Sequence, residues 1–143
     1  MNDMISPIAE VMARIHEVGP LLREHADQAD RDRRMPPSAI EALQRTGVFA
    51  LNTPVACGGL GGGVRAMVEA GMAIGNYCTN AAWISVISSI STVLPARFPE
   101  TLYARMFANG APVPMASVIT SAGSEAVRDG DGYRITNPMA EYA

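Results

Sequence analysis

Three groups of residues in this chain have the types and spacing to take part in chemistry. Ser85, Ser88, Ser89 and Thr92 recur at i, i+3, i+4 and i+7, so a helix sets four hydroxyls on one face. Such a stripe either lines a pocket for a small molecule or bonds back to the carbonyls of its own packed helix. Trp83 opens another face of that helix, which continues through Ile87, Ile90 and Leu94; an indole there is a core residue first and a substrate wall second. In the second group, Thr120, Ser121, Gly123 and Ser124 can offer hydroxyls and backbone N–H groups to a ring or a phosphate, or form an ordinary polar loop between strands. The third group is Gly58, Gly59, Gly61, Gly62 and Gly63. It has no lysine and no Gly-x-Gly-x-x-Gly register at a strand-to-helix turn, so it reads as a connection rather than a phosphate loop.

Other chemistries are excluded or unsupported. There is no HExxH, no Walker loop and no Ser/His/Asp arrangement. His16 and His25 are nine positions apart, on opposite faces of a helix, and cannot share a metal as helix neighbours. Cys57 and Cys78 lack a CxxC spacing and read as two reduced thiols, so no metal is expected. The net charge of -3 leaves no electrostatic footprint for nucleic acid. The N-terminus lacks a basic region followed by an apolar run, so no leader is expected and the compartment is taken as the cytoplasm.

The elements that must position these residues are mostly helical. Ile5, Ile8, Met12, Ile15, Gly19, Leu22, Ala26 and Ala29 alternate by threes and fours, the seam of a helix of about eight turns, with a kink or break expected at Pro20. In the charged run that follows, i,i+4 pairs join Asp27 to Arg31 and Asp30 to Arg34 on a solvated face. Pro36 or Pro37 opens a short helix with Ile40 and Leu43 inward, and Gly47 stops it. Val64, Met67, Val68, Gly71, Ile74 and Gly75 repeat at helical spacing. Thr79 or Asn80 then caps a helix from Ala81 to Leu94.

No charged residue occurs from Ala70 to Ala96. Glycines and asparagines near the middle of that stretch, and its serines, argue against a membrane span. It reads instead as two helices buried on nearly all sides, more than a chain of 143 residues can cover. A partner is therefore implied, either another subunit or further chain. Pro99 to Ala108 reads as a short helix with Leu102, Met106 and Tyr103 inward, ended by Asn109 and Gly110. Beyond it Met115 to Thr120 reads as a strand, and Asp129-Gly130-Asp131-Gly132 as a hairpin turn between two more. One hairpin and one strand are not a self-sufficient sheet. The expected organisation is mainly α: a helical domain over residues 1–110 and the start of a truncated β domain over 111–143.

Arg34-Met35-Pro36-Pro37, Arg45-Thr46-Gly47-Val48-Phe49, Pro54 and Cys57-Gly58-Gly59-Leu60, in that order, resemble the N-terminal domain of the acyl-CoA dehydrogenase superfamily. Asn80-Ala81-Ala82-Trp83, Phe98-Pro99-Glu100 and the link from Ala122-Gly123-Ser124 to Gly130-Asp131-Gly132-Tyr133 are most similar to its two-component flavin-dependent monooxygenase branch. The resemblance implies a helical N-terminal domain, a middle β domain and a C-terminal bundle in a tetramer. Flavin (FMN or FAD) would lie against the β domain and the bundle, with Thr120, Ser121, Gly123 and Ser124 as cofactor contacts. Substrate would lie near the helices, at Trp83, Ser88 and Ser91. A separate reductase would supply reduced flavin, and O2 would then hydroxylate an aromatic or polyketide-like small molecule. Lacking the C-terminal part, this chain alone is expected to be inactive.

Three departures bear on that expectation. Dehydrogenases of the superfamily carry Thr-Glu-Pro before the Gly-Ser, whereas Val118 to Glu125 keeps only Gly123-Ser124. Ser91 stands where many monooxygenases of this branch have a histidine. Asn137-Pro138-Met139 replaces a further flavin contact after the hairpin. The alternatives are an FAD-dependent acyl-CoA dehydrogenase and a non-catalytic helical module that serves oligomerisation.

Overall fold

The computed structural model describes residues 6–94, 97–107, 115 and 123–136. Within them the chain forms α1 (Pro7–Glu24), α2 (Ala26–Asp32), α3 (Pro37–Thr46), α4 (Gly63–Gly75), α5 (Thr79–Ser91) and α6 (Glu100–Met106), then β1 (Glu125–Asp129) and β2 (Gly132–Thr136). Two single 3-10 turns, Val48–Ala50 and Val55–Cys57, join α3 to α4. The mainly helical expectation, closed by a hairpin, therefore holds for the described residues.

The long N-terminal periodicity resolves into two helices, and the break falls at His25 rather than at Pro20. Pro20 stays inside α1. Val11, Ile15, Gly19 and Leu22 are buried along α1, and Ala29 along α2. Ile8, Met12 and Ala26 are partly buried against them, while Ile5 lies outside the described residues. Gly19 is required by a close approach, because any side chain there would occupy the ring of Tyr77. That ring lies under the Arg23 guanidinium, 5.1 Å away, and its hydroxyl is 3.2 Å from His16 Nδ1. Arg23 also donates to the Asn76 carbonyl (3.0 Å), so α1 is tied to the turn between α4 and α5.

Pro37 starts α3 and Gly47 ends it in the left-handed region (φ 85°), as expected. Ala39, Ala42, Leu43 and Thr46 are buried on α3, with Ile40 half-buried beside them. Thr46 donates to the Leu43 carbonyl at 2.6 Å and accepts from the Val48 amide at 3.1 Å, which fixes the entry to the first 3-10 turn. That turn delivers Val48 and Phe49 to the centre of the core, with Leu51 just beyond it.

Helices α4 and α5 pack on each other, with their small residues inward. Ala66, Ala70 and Ala73 are buried on α4, where Ile74 is the sole large buried residue. Ala81, Ser85, Ser88, Ser89 and Ser91 are buried on α5. Val64, Val68 and Met72 on α4, and Trp83 and Ile90 on α5, are exposed. Sequence periodicity places Val64, Val68 and Trp83 inward; the structure reverses this. Alanine, serine and Gly71 let the helix axes approach closely, and large side chains in the contact would hold them apart. The α5 start also differs from expectation. Cys78 occupies the N-cap in extended conformation, and neither Thr79 nor Asn80 caps the helix.

Helix α6 leaves Leu102 and Met106 exposed rather than inward. The Tyr103 side chain, Asn109 and Gly110 lie outside the described residues, as does the junction expected near residue 110. So does the strand expected from Met115 to Thr120, except for Met115 itself. In the hairpin Asp129 pairs with Gly132, leaving a two-residue turn with Gly130 at φ 62°. Glycine at that first position is what a primed turn requires. All residues of both strands are exposed.

Candidate functional site

Among the described residues a concave surface forms where α2 runs out and the chain turns into α3. Helix α2 ends on Arg33, at φ 49° and ψ 31°. Met35 precedes proline, which disfavours helical geometry and keeps the chain extended through Pro36. The turn carries Arg33, Arg34 and Met35 past the N-terminal half of α5. Asn80 there donates to Asp30 Oδ1 at 2.6 Å, which pins α2 to α5. The pairs expected from Asp27 to Arg31 and from Asp30 to Arg34 do not form; Asp30 is engaged by Asn80 instead.

Between these elements lies a cleft of about 370 Å³, lined among others by Asp30, Arg33, Arg34, Met35, Asn80 and Trp83. A second hollow of about 580 Å³ lies beside it, sharing Arg33, Arg34, Met35 and Ile84 and reaching Ile40 and Glu41. Both fall in the size range of small-molecule sites. Trp83, a predicted pocket residue, is therefore a wall of the first of these. It is 68% exposed and belongs to no core, against its first reading as a core residue.

Ser88 and Ser91 are not brought to that cleft. Both are buried further along α5, towards its C-terminal end, and Ser91 donates to the Ile87 carbonyl at 2.7 Å. Thr92 likewise donates to the Ser89 carbonyl at 2.7 Å. Part of the hydroxyl stripe thus bonds back to its own helix. Ser85 and Ser89 present buried hydroxyls with no partner. They face a slit against Val48, Leu51 and Met67 with no room for a water molecule.

Gly123, at φ 82°, and Ser124 lie exposed on the approach to β1. Thr120 and Ser121 lie outside the described residues. Neither Gly123 nor Ser124 borders the clefts described above, so the described residues do not by themselves enclose a flavin. The glycine-rich segment offers no cradle either. The amides of Gly59, Leu60, Gly61 and Gly62 donate to the carbonyls of Pro54, Ala50, Thr53 and Leu51 at 2.8–3.1 Å. An N–H group already paired within the chain cannot hold a phosphate, so this segment is a connection, as expected from its sequence.

His16 faces Tyr77 and His25 faces Ser38. Cys57 and Cys78 are free and buried. Among the described residues no group of His, Cys, Asp or Glu is arranged to hold a metal ion. Sequence reasoning missed Asp30, Arg33, Arg34 and Asn80. The charged run reads as a solvated face, and only its abrupt end in Arg33-Arg34-Met35-Pro36-Pro37, with no glycine cap, marks it as something else.

Comparison with known proteins adds the following. Residues 17–129 match the acyl-CoA dehydrogenase N-terminal domain family. The chain is 30% identical to the oxygenase component of the FADH2-dependent resorcinol hydroxylase of Rhizobium sp. (strain MTP-10005), over 98% of this chain and 36% of that protein. Its structure is similar to XiaF from Streptomyces sp., solved with FADH2 and glycerol (TM-score 0.83, 30% identity, 91% of this chain and 33% of XiaF). It is also similar to the 3-HSA hydroxylase of Rhodococcus sp. RHA1 (TM-score 0.82, 27% identity, 90% of this chain and 33% of that one). The chain thus spans about a third of the length of these relatives.

Proposed function

The chain belongs to the acyl-CoA dehydrogenase N-terminal domain family, and we propose that it is the helical portion of a flavin-dependent monooxygenase, the oxygenase component of a two-component system. The observation that carries this reading is the combination of 30% identity and a TM-score of 0.83 with XiaF, a structure that holds FADH2. The curated relatives point the same way, since they are oxygenase components rather than dehydrogenases. On this reading a separate reductase delivers reduced flavin, and flavin with O2 supplies the oxygen transferred to a small aromatic substrate. The chain's own part is to bind and orient that substrate, with Trp83 as the wall of its cleft. Gly123 and Ser124, with Thr120 and Ser121, are proposed as the edge of the flavin site, completed by protein outside this chain.

The exposed apolar residues of α4 and α5 support the remaining parts of the proposal. Val64 (70% exposed) and Met72 (69%), with Val68 and Ile90, form an exposed apolar face larger than single scattered surface residues. We assign that face to the rest of the oxygenase and to its oligomer, a tetramer, in the cytoplasm. No helix among the described residues is long and apolar enough to cross a membrane. The same exposed face also suits a non-catalytic oligomerisation module.

The test takes the open reading frame that contains this chain. It is expected to encode a β domain and a helical bundle after Ala143. With a flavin reductase, NADH and O2, its product is expected to add one oxygen atom to a phenol, read by mass spectrometry. Reduction of its flavin by an acyl-CoA thioester, with no oxygenated phenol, would overturn the reading in favour of a dehydrogenase. The 143-residue chain alone is expected to bind FMN and FAD no more tightly than about 1 μM and to give no product. A discrete flavin-free oligomer in light scattering, with no flavin-dependent product from the full frame, would favour the module.

A further inference from the structure

The Trp83 cleft carries two cations, Arg33 and Arg34, and one anion, Asp30. Arg33 and Arg34 both line it, and neither is within ion-pair distance of a carboxylate among the described residues. Asp30, the one acidic group on the cleft among the described residues, is taken by the Asn80 amide. Two guanidinium groups beside one engaged carboxylate make the cleft locally positive, in a chain whose net charge is -3. Three other arginines pair with a carboxylate, Arg14 with Glu10, Arg65 with Glu69 and Arg134 with Asp129. Arg31, Arg45, Arg97, Arg105 and Arg128, like Arg33 and Arg34, have none within ion-pair distance among the described residues. What sets Arg33 and Arg34 apart is that both line one cleft.

The backbone gives a second, independent indication. Arg33 is the one non-glycine residue at positive φ among the described residues. It occupies the left-handed position that closes α2, where glycine, or failing that asparagine, is the unstrained choice. Strain kept at a residue on a cleft edge points to a use for its side chain. Arginine brings a planar fork of donors that matches a carboxylate in a two-point contact. The remaining lining is apolar: Met35 is buried, Ile84 is half-buried, and Trp83 offers a broad aromatic face.

We propose that this cleft recognises a small aromatic carboxylate, its ring against Trp83 and Ile84 and its carboxylate on Arg33 and Arg34. The proposal rests on the reading of the cleft as the substrate site and narrows the substrate from aromatic to acidic aromatic. Arg33 and Arg34 are then specificity-determining residues, separating an acid from the neutral ring of the same shape.

Trp83 is the only tryptophan of the chain, so its fluorescence reports the cleft directly. Titrated into the chain, benzoate is expected to change that fluorescence saturably and to bind about tenfold more tightly than benzamide. Added salt should weaken benzoate and leave benzamide unchanged. Arg34→Gln is expected to bring benzoate down to the benzamide level. Arg33→Gly should also weaken benzoate while raising Tm, since glycine relieves the left-handed strain; a purely structural Arg33 would raise Tm and leave benzoate unaffected. Equal binding of benzoate and benzamide, absence of binding by both, or benzoate binding unaffected by both substitutions would overturn the proposal. So would displacement of benzoate by inorganic phosphate at lower concentration, which would make the cleft a phosphate site. None of these measurements involves flavin or turnover. Their failure leaves the oxygenase reading to its own assay of product mass.

Discussion

The two halves of the helical region solve the same packing problem in opposite ways. Around α1, α3 and the first 3-10 turn, the large apolar side chains go inward: Ile15, Leu22, Leu43, Phe49 and Leu51 are at most 1% exposed. Across α4 and α5 the inward positions belong mostly to alanine and serine, and the large side chains look outward. The first region derives its stability from area removed from water within the chain. The second removes little by itself and leaves Val64, Val68, Met72 and Ile90 exposed. One protein thus contains a region that buries its large side chains and a region that leaves them exposed.

The sharpest way to break that distinction is to truncate one large residue on each side. Phe49→Ala is expected to cost about 3–5 kcal/mol in urea unfolding of the chain, through lost transfer energy and the cavity left behind. Met72→Ser, exposed on α4, should stay within about 0.5 kcal/mol. If Met72→Ser destabilises the chain as much as Phe49→Ala, the α4 face is already covered, for example by a second copy in solution. Light scattering on the same sample would show it.

The contrast also explains what was legible in the sequence. Periodicity reported α1 and α3 well, because there burial goes with hydrophobicity: Ile15, Leu22 and Leu43 are where their spacing puts them. It failed on α4 and α5, because periodicity locates an apolar face and does not say whether the same chain covers it. Val68 is exposed, and Trp83 walls the cleft instead of entering the core. The uncharged stretch from Ala70, expected to need a partner, leaves Met72 and Ile90 exposed among the described residues, and what covers them belongs to the proposal. The cleft was illegible for a different reason. Asp30, Arg33 and Arg34 have the composition of a solvated face, and only the fold brings Asn80 and Trp83 opposite them across some fifty residues. The proposed flavin contacts rest on the resemblance. Of them, Gly123 and Ser124 are placed on an exposed turn, while Thr120 and Ser121 lie outside the described residues.

The glycine-rich connection sets a smaller test on the boundary between the two regions. Gly58 is at φ 79° with open space around the position of a side chain, whereas a side chain on Gly59 would run into the Thr53 carbonyl. Gly58→Ala should therefore cost about 1 kcal/mol of backbone strain alone. Gly59 is not at positive φ, but Gly59→Ala must move backbone that accepts the Gly61 amide, and should cost about 2–3 kcal/mol. A similar small loss for both would mean that the segment yields freely and belongs to the open side of the molecule rather than to the closed core.

The smallest effect separates the serines within α5. Ser85 is 1% exposed and its hydroxyl has no partner, facing a slit too tight for water. Ser85→Ala removes a desolvated, unpaired group and adds almost no cavity, so stability is expected to rise by about 0.5–1 kcal/mol. Thr92 is equally buried, but its hydroxyl donates to the Ser89 carbonyl at 2.7 Å. Thr92→Val keeps the shape and loses that bond, and should cost about 0.5–1.5 kcal/mol. Opposite signs at a hydroxyl within α5 and one at its C-cap would show that the small inward residues are tolerated for close packing, not for their polarity. If Ser85→Ala is destabilising instead, its hydroxyl has a partner in solution. The polar seam between α4 and α5 would then be a bonded element in its own right.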